Sequence, residues 1–291
     1  MKPDEKTAST LAPGLYVVAT PIGNLEDITL RALRILKETD LIACEDTRHT
    51  QKLLNHYGIT TRTVSYHEHN EASRAEELVQ QLKQGLRIAV VTDAGMPGIS
   101  DPGYRVIGKA VEHGITVVPI PGASAFVAAL AASGLPTDSF EFRGFLPSKI
   151  SQRRNVLDSI KRSPQVQVFY EGPHRMTETL EDIVEILGTN CPIVIAREVT
   201  KLHEEFLRGT AGELLSKQPA EWKGEITLLI GKSAESTERE MPEKAATVSQ
   251  QIEKLMAEEK LDEKAALKRV AKEMGISKSE AYRKLQKSKS S

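Results

Sequence analysis

Short apolar runs alternate with segments of helical spacing through the first half of this chain. The apolar, β-branched runs predict strands at residues 15–20, 41–44, 62–66, 86–92 and 115–120. Between them, apolar residues recur every three or four positions and predict helices at 27–38, 48–57, 71–84 and 104–113. Strands and helices that alternate in this way form a parallel sheet with helices on its faces. The pattern therefore predicts an α/β domain over residues 14–124.

A second block begins near Thr137 and spaces its strands less evenly. Its predicted strands are 139–145, 166–171, 192–199, 205–208 and 225–230, and its predicted helices are 150–161 and 176–187. The uneven spacing predicts a mixed sheet, in a second α/β domain over residues 125–232. Residues 1–13 contain no apolar core and are predicted to be a flexible tail.

The composition turns polar after Gly231, and apolar residues at helical spacing return near the end of the chain. Residues 233–247 predict a linker, and residues 248–291 predict a small unit with helices at 248–259, 263–274 and 277–287. The last two helices have the spacing of a helix-turn-helix, with Ser277 placed to cap the final one. Such a unit favours contact with nucleic acid or with a partner protein. The candidate nucleic-acid contacts are Lys278, Arg283, Lys284 and Lys287, with a solvated helix face as the alternative.

The overall composition of the 291 residues narrows the classes of protein to consider. A net charge of −1 gives no strong field, so a nucleic-acid partner must be held by local basic patches. Cys44 and Cys191 are the only cysteines and lie far apart, which favours neither a disulfide framework nor a zinc site. No apolar run approaches the roughly 20 residues that cross a bilayer. These features favour a cytoplasmic protein without membrane contact.

A loop rich in glycine and proline follows the predicted strand at 86–92. Residues 93–103, DAGMPGISDPG, contain two acids, three glycines and two prolines, a content that excludes helix and sheet. Two further loops, residues 20–25 and 121–125, follow other strands of the same predicted sheet. Open α/β sheets bind ligands at the carboxyl ends of their strands. The three loops together predict a ligand pocket at this edge of the sheet.

Six segments of the chain together match the motifs of one known protein family. They are ATPIGNLEDITLRA, CEDTRHT, VTDAGMPGISDPG, PGASA, FYEGPHR and GEITLLI, and they span about residues 14 to 231. Together they resemble the tetrapyrrole methylase superfamily, and more narrowly its ribosomal RNA small-subunit methyltransferase I branch. The resemblance implies S-adenosylmethionine-dependent 2′-O-methylation of a cytidine in 16S ribosomal RNA, on the small ribosomal subunit. It also implies two α/β domains with the cofactor in the cleft between them, and a homodimer.

The resemblance also implies which residues hold the cofactor. Three residues of the 93–103 loop are expected along the cofactor, and the backbone at 124–125 on its other side. The full set of expected cofactor-binding residues is Pro21, Gly23, Asp93, Gly95, Met96, Ser124, Ala125, Tyr170 and Thr227. Acids at strand ends suit the cationic sulfonium of S-adenosylmethionine better than a phosphate cradle would.

A ribose hydroxyl is a poor nucleophile, and a general base typically speeds such a reaction by about 10²–10⁴-fold. The candidate bases follow two strand ends and are Glu45, Asp46, His67 and Glu68. A hydrogen-bonded structural role is the alternative for each histidine. The histidines at 67 and 69 have no evident third partner, so no metal site is predicted. Arg48 and Arg175 are expected to bind RNA phosphate or the carboxylate of the cofactor.

Two other functions are compatible with parts of the pattern. One is methylation of a tetrapyrrole ring, which the appended helical unit disfavours. The other is a DNA-binding regulator in which the α/β part senses a small ligand. Affinity for DNA in a defined-site assay would separate the regulator from both enzymes.

Overall fold

The computed structural model describes residues 11–232, 252, 256, 262–273 and 277–289. The chain divides into two compact units, residues 1–233 and residues 234–291. The first unit contains two five-stranded sheets. A domain boundary between these sheets at residues 124 and 125 stays a prediction, because both sheets belong to the same compact unit.

The first sheet is parallel, which confirms the prediction. Its strands are β1 (Gly14–Val18), β2 (Leu41–Cys44), β3 (Thr63–Ser65), β4 (Arg87–Val91) and β5 (Val117–Ile120), in the order β3-β2-β4-β1-β5. All four pairings between neighbouring strands are parallel. The helices between the strands are α1 (Leu30–Glu38), α2 (Thr47–His56), α3 (Glu71–Lys83) and α4 (Tyr104–Glu112).

The connections of the first sheet change direction between β1 and β4. From β1 the chain crosses to β2 on one side, whereas from β4 it crosses to β5 on the other side. Loops that leave neighbouring strands in opposite directions open a crevice at the carboxyl end of the sheet, where α/β folds bind ligands. The topology therefore places the loops after β1 and β4 beside this crevice.

Apolar side chains fill the space on both faces of the first sheet. On one face, strand residues such as Val18 pack against Ile35 of α1 and Leu54 of α2. On the other face, strand residues such as Val90 pack against α3 and α4, for example at Leu78. Burial on both faces explains why these strands are continuous apolar runs in the sequence.

The second sheet is mixed, as predicted. Its strands are β6 (Phe140–Phe145), β7 (Val166–Glu171), β8 (Pro192–Arg197), β9 (Glu205–Thr210) and β10 (Ile226–Ile230), in the order β6-β7-β10-β8-β9. The pairing of β6 with β7 is parallel, and the other three are antiparallel. Helix α5 (Ala125–Ser133) packs on one face, and α6 (Ile150–Ile160), α7 (Met176–Leu187) and α8 (Ala211–Ser216) pack on the other.

Helix α1 begins three residues later than the sequence predicted. The hydroxyl of Thr29 accepts a hydrogen bond from the backbone N–H of Ala32 at 3.1 Å, and this cap fixes the first turn at Leu30. The preceding residues, Leu25–Asp27, form a separate 3₁₀ turn. The cap therefore decides the start, although apolar spacing continues upstream.

Two helices of the second sheet were not predicted. Helix α5 is apolar around almost its whole circumference, so no amphipathic period marks it. Helix α8 has only six residues and is held by reciprocal capping between Thr210 and Glu213. Both helices lack the periodic signal on which helix prediction depends.

The second unit contains α9 (Glu263–Glu273) and α10 (Lys278–Lys289). The two helices pack through small and apolar residues that include Ala266, Val270 and Ala281. The hydroxyl of Ser277 accepts a hydrogen bond from Glu280 N–H at 3.2 Å, so Ser277 caps α10 as predicted. The predicted tail, linker and first C-terminal helix (1–13, 233–247 and 248–259) lie wholly or mostly outside the described residues.

Candidate active site

The loops after β1 and β4 are joined by a pair of backbone hydrogen bonds. Thr20 N–H donates to the Gly95 carbonyl at 2.9 Å, and Gly95 N–H donates to the Thr20 carbonyl at 3.1 Å. The Thr20 hydroxyl also donates to the Thr92 carbonyl at 3.0 Å. These bonds hold the two loops together across the crevice, so both present fixed backbone to anything bound there.

The loop after β4 turns back on itself where only glycine fits. Gly103 has φ +139°, and a Cβ placed on it would lie 2.9 Å from the backbone nitrogen of Gly98. Ser100, which is not a glycine, has φ +60°. A non-glycine residue in this region costs about 1–3 kcal/mol, and such strain concentrates at functional sites. The loop is thus a tight structure that supports the crevice with little freedom of its own.

A cavity of about 400 Å³ lies between the loops of the first sheet and the strand ends of the second. This volume falls within the range of small-molecule sites. Seven of the nine expected cofactor residues line it: Asp93, Gly95, Met96, Ser124, Ala125, Tyr170 and Thr227. Tyr170 and Thr227 are direct partners on β7 and β10, which explains how residues 57 positions apart share one wall. The structure therefore brings together residues from four separate motifs.

Pro21 and Gly23 are not among the residues that line the cavity, although Ile22 between them is. Gly23 instead gives room to a side chain from the loop between β8 and β9. A Cβ on Gly23 would lie 2.3 Å from Cγ of Lys201. Gly23 thus lies where the loop after β1 packs against the lysine of the other half of the unit.

Three carboxylates face the cavity from the first sheet: Glu45, Asp93 and Asp101. Burial raises the pKa of Glu45, and the charge of Asp93 raises it further. Burial, followed by the charges of Glu45 and Asp93, raises the pKa of Asp101 to about 6. Asp101 lines the cavity and is still exposed to solvent. The arrangement makes Asp101 a carboxylate that changes charge near neutral pH.

The other three candidate bases do not line the cavity. Asp46 caps α2, accepts hydrogen bonds from Arg48, and has its pKa lowered to about 2 by that arginine. The backbone N–H of Asp46 also donates to Asp93 Oδ1 at 3.3 Å. Glu68 is exposed, and His67 is half-buried with Nδ1 unpaired among the described residues. Of the four candidates, Glu45 is the one that the fold brings into the cavity.

Arg48 and Arg175, the two arginines expected to bind anions, have different surroundings. Arg48 is exposed and pairs with Asp46 at 2.9 Å. Arg175 is mostly buried and donates to Glu171 Oε1 at 2.5 Å. Glu171 is itself buried and also accepts from the Gly172 N–H and the Thr179 hydroxyl. Arg175 is therefore part of an internal network, whereas Arg48 is available at the surface.

The loop between β8 and β9 reaches the cavity, and the sequence did not predict that it belongs to the site. Lys201 Nζ lies 2.9 Å from Glu198 Oε1 and 3.0 Å from Glu225 Oε2, and Glu225 lines the cavity. The Thr200 hydroxyl contacts the carboxylate of Asp27 near the first sheet. The polar sequence around Lys201 carries no motif, so only the fold shows that it bridges the two sheets.

In the second unit, the structure describes the side chain of one of the four basic residues. Arg283 is exposed on α10, whereas the side chains of Lys278, Lys284 and Lys287 lie outside the description. Among described residues, no set of His, Cys, Asp or Glu is arranged to hold a metal ion. Within the same ranges, no helix is both long and apolar enough to span a bilayer.

Comparison with known proteins gives one family for most of the chain. The family model described as tetrapyrrole (corrin/porphyrin) methylases matches residues 14–215. A ribosomal RNA small subunit methyltransferase I from Halalkalibacterium halodurans is 50% identical over 92% of this chain and 93% of its own length. The protein of the same name from Escherichia coli O157:H7 is 44% identical, again over 92% and 93%.

Two solved structures share the fold at low sequence identity. Diphthine synthase has a TM-score of 0.59 at 15% identity, covering 75% of this chain and 89% of that one. The methyltransferase CobJ has a TM-score of 0.57 at 21% identity, covering 76% and 95%. At these identities, the likeness shows the arrangement of the two sheets and nothing about substrate.

Proposed function

The chain belongs to the tetrapyrrole (corrin/porphyrin) methylase family, and from this premise we propose that it methylates the 2′-hydroxyl of a cytidine ribose in 16S ribosomal RNA. The proposed methyl donor is S-adenosylmethionine. The observation that carries the proposal is the cavity between the two sheets, which joins seven expected cofactor residues to a cluster of carboxylates. The choice of ribosomal RNA is supported by the names of relatives that are 44–50% identical.

The residues around the cavity fit S-adenosylmethionine in size and in charge. Three carboxylates and the fixed carbonyls of two loops suit a sulfonium cation, and the apolar lining suits an adenosine. The residues proposed to hold it are Asp93, Gly95, Met96, Ser124, Ala125, Tyr170 and Thr227. Pro21 and Gly23 support the first loop from outside the cavity. When bound, the cofactor supplies the methyl group, and the protein supplies the alignment.

The proton of the ribose hydroxyl needs an acceptor, and Asp101 is the proposed one. Its carboxylate lies in the cavity with a pKa of about 6, close to the pH at which a general base works best. Glu45 contributes through its charge, which helps to keep that pKa raised. Asp46, His67 and Glu68 then have no direct part in the proton transfer, because none of them lines the cavity.

The RNA is proposed to be held by local basic residues, since the net charge of the chain is −1. Arg48 is available in the first unit, and Lys278, Arg283, Lys284 and Lys287 are proposed contacts in the second. A weak overall field favours a substrate that is already folded within the small ribosomal subunit. A cytoplasmic location and a homodimer complete the proposal.

The test offers tritiated S-adenosylmethionine and purified protein to three substrates separately. These are small ribosomal subunits that lack the modification, naked 16S ribosomal RNA, and a tetrapyrrole extract. Label in RNA at one alkali-resistant linkage is the expected result, because a 2′-O-methyl group blocks alkaline cleavage there. Label in the extract alone would assign the chain to tetrapyrrole methylation. Label in none of them, with affinity for a defined DNA site, would favour the regulator.

A further inference from the structure

Phe145 lies on the cavity because of an irregularity in strand β6. Side chains alternate between the faces of a strand, so Phe142 and Phe145 would point to opposite faces in a regular one. The pairing of β6 with β7 shifts between these two residues, and Gly144 has φ +67°. The bulge adds one residue, and both rings now meet Tyr170, at centroid distances of 5.1 and 5.4 Å. Bulges beside active sites re-aim side chains in this way.

The ring of Phe145 is open to solvent although it lines the cavity. It is 60% exposed, whereas Phe142 is half-buried against the stacked ring of Phe126. Ile99, from the loop after β4, lines the same cavity and is 43% exposed. A cavity with carboxylates inside therefore has large apolar side chains exposed on both of its walls.

The bulge is fitted closely to the first sheet. A Cβ on Gly144 would lie 3.0 Å from the hydroxyl of Ser100, the residue with φ +60° in the loop after β4. The positive φ of Gly144 favours glycine, and a larger residue would also press on the Ser100 hydroxyl. Phe145 follows Gly144 directly in the chain, so its backbone lies where the bulge and the loop after β4 approach each other.

We infer that Phe145 is the stacking platform for the base of an unpaired substrate nucleotide, whose ribose then reaches the carboxylates of the cavity. The inference rests on the proposed function and adds that the target nucleotide is unpaired when it is bound. Unpaired bases are held in proteins by stacking on aromatic rings, whereas helical RNA is recognised through its backbone and minor groove. A planar base covers the exposed ring, and Asp101 in the same cavity is placed for the ribose.

The test compares three variants of the full chain on small ribosomal subunits that lack the modification. Phe145→Ala is expected to raise KM for the subunits about 5- to 150-fold, the range for one lost stacking contact. Its affinity for S-adenosylmethionine, measured by calorimetry, is expected to stay within about twofold of the parent chain. Phe145→Trp is expected to restore KM because it restores a stacking surface. Phe140→Ala is the matched control, since Phe140 is 42% exposed on the same strand but does not line the cavity.

Two results would overturn the inference while leaving the proposed function intact. One is an unchanged KM for Phe145→Ala with an active parent chain. The other is a Phe145→Ala variant that binds S-adenosylmethionine more weakly and shows no further rise in KM for the subunits. That result would assign the ring to the cofactor. A parent chain that transfers no methyl group to RNA would instead remove the proposed function itself, and the inference with it.

Discussion

The wall of the cavity that the first sheet provides is built from tightly turned loops that carry three carboxylates, whereas the wall from the second sheet is built from paired strands and carries two aromatic rings. On the first wall, two loops are tied together through Thr20 and Gly95, and the chain turns tightly between Gly98 and Gly103. On the second wall, Tyr170 and Thr227 come from paired strands, and a bulge exposes Phe145. The first wall holds the proposed sulfonium contacts and the proposed base, while the second adds Tyr170 and Thr227 to the proposed cofactor site and exposes Phe145.

Asp101→Asn is expected to have the largest effect, because it removes the proposed base from the first wall. We expect kcat to fall about 10²–10⁴-fold with affinity for S-adenosylmethionine retained. In the parent chain the rate should rise with pH through about 6, where Asp101 loses its proton, and the variant should lack this rise. Single-turnover methyl transfer from pH 5 to pH 8 measures both. If the methyl-transfer rate of the variant still rises with pH near 6, the base is another group.

The same variant has an opposite effect on stability. The pKa of Asp101 is higher in the folded chain, about 6, than its ordinary value of 3.8, so the folded state binds more protons between these values. The contribution of Asp101 to stability is then greatest below pH 3.8 and falls as pH rises toward 6. The free energy of unfolding of Asp101→Asn should therefore exceed that of the parent chain at pH 7.5. At pH 4 the variant should show no such gain. Urea unfolding at the two pH values tests this.

Gly103→Ala is expected to break the backbone of the first wall. Alanine at φ +139° with a Cβ 2.9 Å from Gly98 N is strained, and we expect a loss of about 1–3 kcal/mol in the free energy of unfolding. Gly108→Ala, within α4 and with open space around it, is the control and should be neutral or stabilising by up to about 1 kcal/mol. Equal losses in the two variants would show that the turn is not a special constraint.

Asp93→Ala is expected to weaken S-adenosylmethionine binding about tenfold, by removing one charge-assisted contact to the cation. The chain should stay folded, because Asp93 lies at the cavity and outside the apolar core. Calorimetry measures the affinity, and thermal unfolding checks the fold. Unchanged affinity would contradict the proposed position of the sulfonium on this wall.

Lys201→Met tests the ion pairs that hold the lysine stem in place beside the first wall, and it is expected to have the smallest effect. Methionine keeps an apolar stem beside Gly23 and removes the ion pairs with Glu198 and Glu225. Partly exposed ion pairs contribute about 0.2–1 kcal/mol, so the loss in unfolding free energy should fall in this range. It should also shrink in 1 M salt, where the Debye length is about 3 Å. A salt-independent loss would point to packing of the stem instead.

The sequence by itself determined most of the first wall. Alternating strands and helices predicted a parallel sheet, and the glycines, prolines and acids of residues 93–103 predicted a ligand loop at its edge. This was possible because tight turns and buried strands each require particular residue types in a short stretch of sequence, so both can be recognised without the fold. The resemblance added Tyr170 and Thr227, which the structure brings to the same cavity.

Only the tertiary structure decided which acids meet and which aromatic ring is exposed. Glu45 enters the cavity while Asp46 next to it caps a helix, and apolar spacing cannot separate these neighbours. The raised pKa of Asp101 depends first on burial and then on charges from two strand ends, and the exposure of Phe145 depends on a register shift between β6 and β7. Both arise from pairings between distant segments, because a side chain's surroundings are set by strand order and register.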